Sequence, residues 1–165
     1  NDDDIIIGGS GNDYIHGDTG QDILIGANLP DEEQWVEART TGDIPTLTVT
    51  TDSEQGDVDT IFGGYGEDTI YAGANDIVDT GEGADTLVTG VWMDGLAAAT
   101  VVDFDPAEDV LVYQYDPSAP TPVITFENGP DDNAQMMVDD HATLVIENVD
   151  FTTLDTDNVF LMPFA

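Results

Sequence analysis

The sequence predicts an all-β protein in which short strands stack as successive coils, with one insertion and a β-rich C-terminal cap. Glycine and aspartate recur every nine residues in residues 1–27 and again in residues 56–90. A large aliphatic residue lies two positions after each aspartate of this register. From residue 91 the glycines become sparse and longer β-branched stretches begin. We therefore divide the chain into a repeat region, residues 1–90 with an insertion at about 28–55, and a cap region, residues 91–165.

The repeat follows the pattern G-G-x-G-x-D-x-U-x, where U is a large apolar residue. Two complete copies are adjacent, at 8–16 and 17–25, and a third covers 63–71. Two weaker copies follow, and the one at 72–79 is one residue short. The register contains the aspartates Asp4, Asp13, Asp22, Asp59, Asp68, Asp76 and Asp85 and the U residues Ile6, Ile15, Leu24, Ile61, Ile70, Val78 and Leu87. Both positions keep their residue type in all seven copies, so chance does not explain the pattern.

Each position of the repeat has a physical role. Glycines permit positive φ angles and close backbone approach, so the chain can turn tightly with its carbonyl oxygens on one side. The aspartate adds a carboxylate at the same place, and such hard oxygen ligands suit calcium better than zinc, copper or magnesium. The x-U-x segment is a short strand whose U side chain points inward. Two repeats make one coil, and coils must stack because a single coil cannot bury its apolar face.

The charge balance restricts the classes of partner. The chain has 36 acidic residues, one arginine (Arg39) and no lysine, which gives a formal net charge of -35. Phosphates and anionic membrane surfaces would be repelled, so we expect no nucleic acid partner and no membrane binding. No apolar run is long enough for a membrane insertion. The chain also has no cysteine, so a bound metal is the expected substitute for disulfide bonds.

These repeats resemble those of the RTX (repeats-in-toxin) family, which includes serralysin-type proteases and toxins exported by type I secretion. The resemblance covers about residues 1–27 and 56–90. It implies a parallel β-roll, secretion to the outside of the cell, and calcium held between turns of successive coils. The cap is similar to the C-terminal region of serralysin-like proteins, and residues 157–165 resemble a type I secretion signal. An ordinary edge strand explains those last residues equally well.

The family pattern implies about five calcium ions, each held between two half-sites on the same side of the roll. Carried over to this sequence, the facing half-sites are Asp2 and Asp4 with Gly17, Thr19 and Asp22; Gly9, Gly11 and Asp13 with Gly26 and Asp59; Asp18, Gly20 and Asp22 with Gly63, Tyr65 and Asp68; Gly64, Gly66 and Asp68 with Thr80, Glu82 and Asp85; and Asp57 and Asp59 with Ala72, Ala74 and Asp76. The turn of Gly81, Gly83 and Asp85 is a half-site for one further ion.

The insertion and the cap have different patterns. Residues 30–39 begin like a short helix and residues 45–50 alternate like a strand, so the insertion is either a recognition loop or decoration of an exposed face. In the cap, an antiparallel arrangement is expected from strand-like segments separated by acidic turns. These segments are 100–104, 110–115, 123–126, 135–138, 142–146 and 159–162.

The sequence contains no catalytic motif. H-E-x-x-H and G-x-S-x-G are both absent, and His16 and His141 are far apart in the chain. We therefore expect a calcium-binding module of a secreted protein that is not itself an enzyme. Because the chain begins inside a repeat, a C-terminal fragment of a larger protein is expected. Two alternatives remain open: part of a secreted hydrolase or polysaccharide-modifying enzyme, and an adhesin or surface-layer module. Tyr65, Tyr71 and Phe62 are candidates for a polysaccharide-binding surface, and packing across strands is the alternative for them.

Overall fold

A computed structural model describes residues 2–27 and 57–163, and these residues form short β-strands joined by turns and 3-10 helices. The strands are β1 (Ile5–Ile7), β2 (Tyr14–Thr19), β3 (Ile23–Ile25), β4 (Thr60–Tyr65), β5 (Thr69–Tyr71), β6 (Ile77–Asp79), β7 (Thr86–Gly90), β8 (Ala99–Val101), β9 (Val110–Tyr115), β10 (Ile124–Asn128), β11 (Ala134–Val138), β12 (His141–Ile146) and β13 (Val159–Pro163). The 3-10 helices are Val91–Met93, Pro130–Asp132, Phe151–Thr153 and Thr156–Asn158. In the described part of the chain, no helix is long and apolar enough to cross a membrane.

The strands form two sheets that face each other across the core. The first sheet has the order β1-β3-β5-β7-β9-β13, and all its neighbouring strands are parallel. The second sheet has the order β10-β11-β12-β8-β6-β4-β2. Successive strands from β1 to β9 alternate between the two sheets, so the chain winds as a coil with one strand in each sheet per turn. This is the parallel β-roll that the resemblance implied, and the all-β fold class is confirmed.

The U residues form two aliphatic columns inside the roll. In the first sheet Ile6, Leu24, Ile70 and Leu87 are in register, and Leu111 of β9 continues the column. In the second sheet the column is Ile15, Ile61, Val78 and then Val101 of β8. Six of the seven predicted U residues are at most 3% exposed, and Ile6 is half-buried. Each fully buried Leu or Ile stabilises the fold by about 1.5–3 kcal/mol relative to an exposed one.

The cap differs in detail from the sequence-based expectation. All six predicted cap strands are present, as β8 to β13, with small differences at their ends. The antiparallel pairing is limited to β10, β11 and β12, whereas β8, β9, β12 and β13 join the sheets in parallel. The reason is that Val101 and Leu111 occupy U positions, so β8 and β9 extend the roll although the turns before them lack the glycine pattern.

The roll continues in phase on both sides of the insertion. Strand β2 pairs with β4 and β3 pairs with β5, as two successive coils require. The predicted helix at 30–39 and strand at 45–50 lie outside the described residues. At the proposed boundary near residue 90, β7 hydrogen-bonds to β9 in one continuous sheet. The division into a repeat region and a cap region stays a prediction.

Candidate metal centre

One column of aspartates lies directly before the strands of the first sheet. Asp4, Asp22, Asp68 and Asp85 precede β1, β3, β5 and β7. The backbone N–H of each donates to Oδ1 of the aspartate in the next coil, at 2.7 Å for Asp4 to Asp22 and 2.8 Å for Asp22 to Asp68 and for Asp68 to Asp85. In return, the residue that follows the aspartate of the later coil donates its N–H to the carbonyl oxygen of the aspartate in the coil before it, as Thr69 N does to Asp22 O at 2.8 Å. One carboxylate oxygen of each aspartate therefore fixes the stacking of the coils.

A second column, on the opposite side of the roll, precedes the strands of the second sheet. Asp13 N donates to Asp59 Oδ1 at 2.8 Å, and Asp59 N donates to Asp76 Oδ1 at 2.9 Å. The column ends there, because Ile77 is in register with Thr100 and the residue before Thr100 is Ala99. Each column thus joins aspartates that are one coil apart in space.

The other carboxylate oxygen is the distinctive feature of these columns. Oδ2 of Asp13, Asp22, Asp68 and Asp85 is buried and has no hydrogen-bond partner within residues 2–27 and 57–163. Asp22, Asp68 and Asp85 are at most 2% exposed. A buried carboxylate oxygen without a partner is costly, and buried charges are normally paired or bound to a metal. A bound cation would satisfy these four atoms.

The first glycine of each repeat provides the space for such a partner. A Cβ on Gly17 would lie 2.6 Å from Asp22 Oδ2 and against the carbonyl oxygen of Gly63. A Cβ on Gly63 would lie 2.9 Å from Asp68 Oδ2 and against the carbonyl oxygen of Thr80. The unpaired carboxylate oxygen and a carbonyl oxygen of the next coil therefore meet beside a residue without a side chain. Carboxylate and carbonyl oxygens are the ligands that calcium takes, so the donor set fits calcium.

The structure brings together most of the implied half-sites on the first side. Asp18 is in register with Gly64, and Thr19 with Tyr65. Turn-to-turn hydrogen bonds run from Gly20 N to Tyr65 O at 3.0 Å, from Gly66 N to Glu82 O at 2.9 Å and from Glu82 N to Gly64 O at 2.8 Å. Asp2 contributes its carbonyl oxygen, which lies 2.5 Å from where a Cβ on Gly20 would be. Gly81 and Gly83 lie in the same way against the carbonyl oxygens of Gly64 and Gly66.

On the second side the implied half-sites are less regular. Gly11 N donates to Asp57 Oδ2 at 2.9 Å. A Cβ on Gly26 would lie 3.0 Å from Asp59 Oδ2 and 2.7 Å from Asp76 Oδ2, so Gly26 borders the Asp59–Asp76 pair. Ala72 and Ala74 are buried in the turn that ends at Asp76. Gly9 and Gly11 have positive φ angles, and no atom of the described residues lies within 4 Å of their Cβ positions.

The electrostatics of the first column agree with a requirement for a cation. Burial raises the pKa of Asp68, and the Asp22 carboxylate adds to this. Burial also raises the pKa of Asp85 to about 6, with further contributions from the carboxylates of Asp109, Asp68 and Asp103. Backbone hydrogen bonds to these carboxylates oppose the shifts without cancelling them. A bound cation would favour the ionised form of both groups.

Asp109 is a member of the first column that the sequence analysis missed. It precedes β9, and Asp85 N donates to its Oδ1 at 3.0 Å. The signal in the sequence is Leu111, two positions later, which matches the D-x-U pattern. The spacing hid it, because Asp109 lies 24 residues after Asp85 and the turn before it contains no glycine.

One expected surface residue is buried. Tyr71 is only 8% exposed, so it is not part of an aromatic surface. In the first sheet the residue after U is also buried, as Ile25, Tyr71, Val88 and Val112 show, because these strands lead into a buried turn. On the outer face of the second sheet, Tyr14 lies beside Phe62, with ring centroids 5.2 Å apart.

Within residues 2–27 and 57–163, no three side chains of His, Asp or Glu converge on one point. The turns described above would supply mainly backbone carbonyl oxygens, with one carboxylate from each coil. A site of this kind depends on the stacking of coils and not on a cluster of side chains.

In comparisons with known proteins, a family model covers the repeats described above. No curated protein matches the chain. Among solved structures, the chain is similar to the AlgE6R3 subunit of a mannuronan C5-epimerase from Azotobacter vinelandii, with 18% identity and a TM-score of 0.33, over 96% of this chain and 78% of that chain. Residues 1–29 and 55–87 match the RTX calcium-binding nonapeptide repeat in four copies. The repeat region of this chain therefore belongs to the RTX calcium-binding repeat family.

Proposed function

We propose that this chain is a calcium-dependent folding module of a secreted protein, whose roll forms when calcium binds between stacked coils outside the cell. The observation that carries the proposal is the set of buried, unpaired Oδ2 atoms of Asp13, Asp22, Asp68 and Asp85. Without a cation these carboxylates oppose folding, and with one they connect neighbouring coils. The same atoms therefore make the folded state depend on the ion.

The energy available from calcium is sufficient for this role. Extracellular calcium sites bind at about 10⁻⁴–10⁻³ M. At roughly ten times the dissociation constant, each site adds about 1.4 kcal/mol to the free energy of unfolding. About five such sites would add roughly 7 kcal/mol, which equals the whole stability of many domains. Because calcium is scarce inside cells, the coils would remain unstacked there.

We further propose that the chain leaves the cell through the type I secretion machinery before its calcium-binding coils stack. A net charge of -35 favours an extended chain when no cation is bound. Strand β13 is the candidate for the secretion signal, since Phe160 and Met162 are 59% and 40% exposed at the edge of the first sheet. An export assay with Phe160→Ser tests this role, and unchanged export would contradict it.

A calcium titration followed by far-UV circular dichroism tests the main proposal. The protein is first freed of metal with a chelator and then titrated with calcium, with magnesium as the control ion. We expect a cooperative gain of β-structure at about 10⁻⁴–10⁻³ M calcium and none with magnesium. A spectrum whose β-content does not change with calcium would refute calcium-dependent folding.

A second candidate function is binding of a neutral polysaccharide by the outer face of the second sheet, as an adhesin or an enzyme-associated module would do. Tyr14 and Tyr65 are 71% and 58% exposed, and the His16 ring stacks on Phe62 with centroids 5.7 Å apart. His16, Phe62, Tyr65 and Asp79 border a cavity of about 330 Å³. Exposed aromatic rings with polar neighbours suit sugar rings, and the net charge disfavours anionic polysaccharides.

Affinity electrophoresis in gels that contain neutral polysaccharides tests the second candidate. We expect the mobility of the wild type to be retarded and that of Tyr65→Ala to be restored. Phe160→Ala is the matched control, because Phe160 is an exposed aromatic residue of the first sheet. Equal mobility of all three proteins, with and without polysaccharide, would rule this function out.

We propose a binding and folding role for this chain and not a catalytic one. His16 is engaged with Asp18, with 3.2 Å between Nδ1 and Oδ1, and His141 contacts the backbone carbonyl of Asp139 at 3.1 Å. Neither histidine is paired with a nucleophile in these contacts. Hydrolysis or epimerisation of a polysaccharide by the purified chain would contradict this proposal.

A further inference from the structure

The last aspartate of each column differs from the earlier ones in the partner of its Oδ2 atom. In the interior of the first column Oδ1 accepts a backbone N–H, and Oδ2 of Asp22, Asp68 and Asp85 has no partner among the described residues. At the C-terminal end of each column the protein itself supplies the donor for Oδ2. The two terminal aspartates are Asp76 and Asp109.

Asp76 closes the second column. Its Oδ1 accepts from Asp59 N at 2.9 Å, and its Oδ2 accepts from Gly73 N at 2.6 Å. Gly73 belongs to the repeat that is one residue short. The shorter turn places the amide of Gly73, three residues before Asp76, against this carboxylate. The Gly73 amide therefore partners the carboxylate oxygen of Asp76 that corresponds to the unpaired Oδ2 of the first column.

Asp109 closes the first column. Its Oδ1 accepts from Asp85 N at 3.0 Å, and its Oδ2 accepts from Asp105 N at 2.8 Å and from the Thr80 hydroxyl at 3.3 Å. The Thr80 hydroxyl also donates to the carbonyl oxygen of Asp103. The turn from 103 to 109 has no glycine, so it lacks the space that Gly17 and Gly63 leave beside their aspartates.

We propose that this chain ends both calcium columns with its own hydrogen-bond donors, so that Asp76 and Asp109 bind no calcium and the last coil and the cap fold without the ion. The inference rests on the proposed function, since it assigns calcium only to aspartates whose Oδ2 is unpaired. The implied site of Asp57, Asp59, Ala72, Ala74 and Asp76 then holds no ion.

Two matched substitutions of the full chain test the inference. Asp68→Asn replaces an unpaired Oδ2, whereas Asp109→Asn replaces a paired one, and both residues are at most 5% exposed. Native mass spectrometry counts the bound calcium ions, and thermal unfolding is measured in calcium and in chelator. We expect Asp68→Asn to lose at least one ion and to lower the Tm in calcium only.

For Asp109→Asn we expect the wild-type number of ions and a Tm that is lower by about 3–8 °C in both calcium and chelator, because an amide cannot satisfy all three donors at once. Loss of an ion in Asp109→Asn, or a Tm change confined to calcium, would overturn the inference. Asp76→Asn, tested in parallel, should also keep every ion. Loss of an ion in Asp76→Asn would contradict the claim that Asp76 binds no calcium.

Hydrogen exchange of the wild type in chelator gives an independent measurement. Amides of β9, β11 and β12 should be protected, while those of β2, β3 and β4 exchange rapidly; uniform rapid exchange would overturn the inference. The two proposals can also fail separately. A wild type that takes up no calcium refutes the proposed function, whereas the protected cap and the effect of Asp109→Asn in chelator would still be observable.

Discussion

The spacing of the coils provides the sharpest test of the fold, through Gly66→Ala. Gly66 has φ +141°, and a Cβ there would meet the backbone carbonyl of Gly20 in the neighbouring coil. Gly20 N also donates to Tyr65 O at 3.0 Å, so the two turns are held together at this point. A clash with backbone atoms cannot be relieved by a rotamer change, and the coils would have to separate.

The expected magnitude follows from two effects. A side chain at positive φ costs about 1–2 kcal/mol. Overpacking against neighbouring atoms costs about 1–3 kcal/mol more. Gly66→Ala should therefore lower the free energy of unfolding by about 2–5 kcal/mol. Gly11 holds the same position in an earlier repeat at φ +107°, and no atom of the described residues lies within 4 Å of its Cβ position. Gly11→Ala should therefore cost only about 1–2 kcal/mol, from the positive φ angle, without the overpacking cost.

Urea unfolding in saturating calcium, followed by circular dichroism, measures both variants against the wild type. The linear dependence on urea gives the free energy of unfolding of each protein. We expect Gly66→Ala to be less stable than Gly11→Ala by about 1–3 kcal/mol. Equal losses in the two variants would refute the reasoning, because the close approach of the coils at Gly66 would then not limit the side chain.

Three further predictions concern single side chains. The pKa of Asp85 is raised to about 6, so the calcium-free folded protein binds a proton at Asp85 more tightly than the unfolded chain does. The stability that this proton contributes is lost as the pH rises through about 6. Isothermal titration should show calcium affinity falling below about pH 6, and less so in Asp85→Asn. Trp92→Phe removes the 2.9 Å bond from Nε1 to Ala72 O and should cost about 1–2 kcal/mol, measured by urea unfolding; an unchanged midpoint would contradict it. Burial raises the pKa of Tyr113, whose hydroxyl donates to Asp94 at 2.7 Å. Alkaline titration at 295 nm should therefore count the same number of titrating tyrosines in the folded wild type as in folded Tyr113→Phe.

The repeat region could be predicted from the sequence because its rule is local. The aspartate and the U residue of each copy are set by positions within nine residues, and stacking keeps them in register. Asp22 and Asp68 are separated by 46 residues, yet their hydrogen bond could be anticipated once the insertion was recognised. The register of the coils, with β2 beside β4 and β3 beside β5, also followed from this one-dimensional order.

The remaining features depend on contacts that no local pattern encodes. Asp109 joins the first column only because the turn from 103 to 109 folds back towards Thr80. Tyr71 is buried because its strand leads into the core, although its position in the repeat resembles that of an exposed residue. The parallel pairing of β13 with β9 likewise joins two strands that β10, β11 and β12 separate along the chain. No periodic pattern in the sequence indicates such long-range pairings.

The aspartate of the repeat is suited to its place because its two oxygens act on different partners. Oδ1 accepts the backbone N–H of the coil before it, as Asp68 does from Asp22 at 2.8 Å, and Oδ2 is left for a cation. An asparagine would retain the first contact and lose the second, since its amide group is a donor. The two contacts arise together only when coils stack, so the calcium site is absent from the unfolded chain. On the proposed function, the free energy of calcium binding would therefore be free energy of folding.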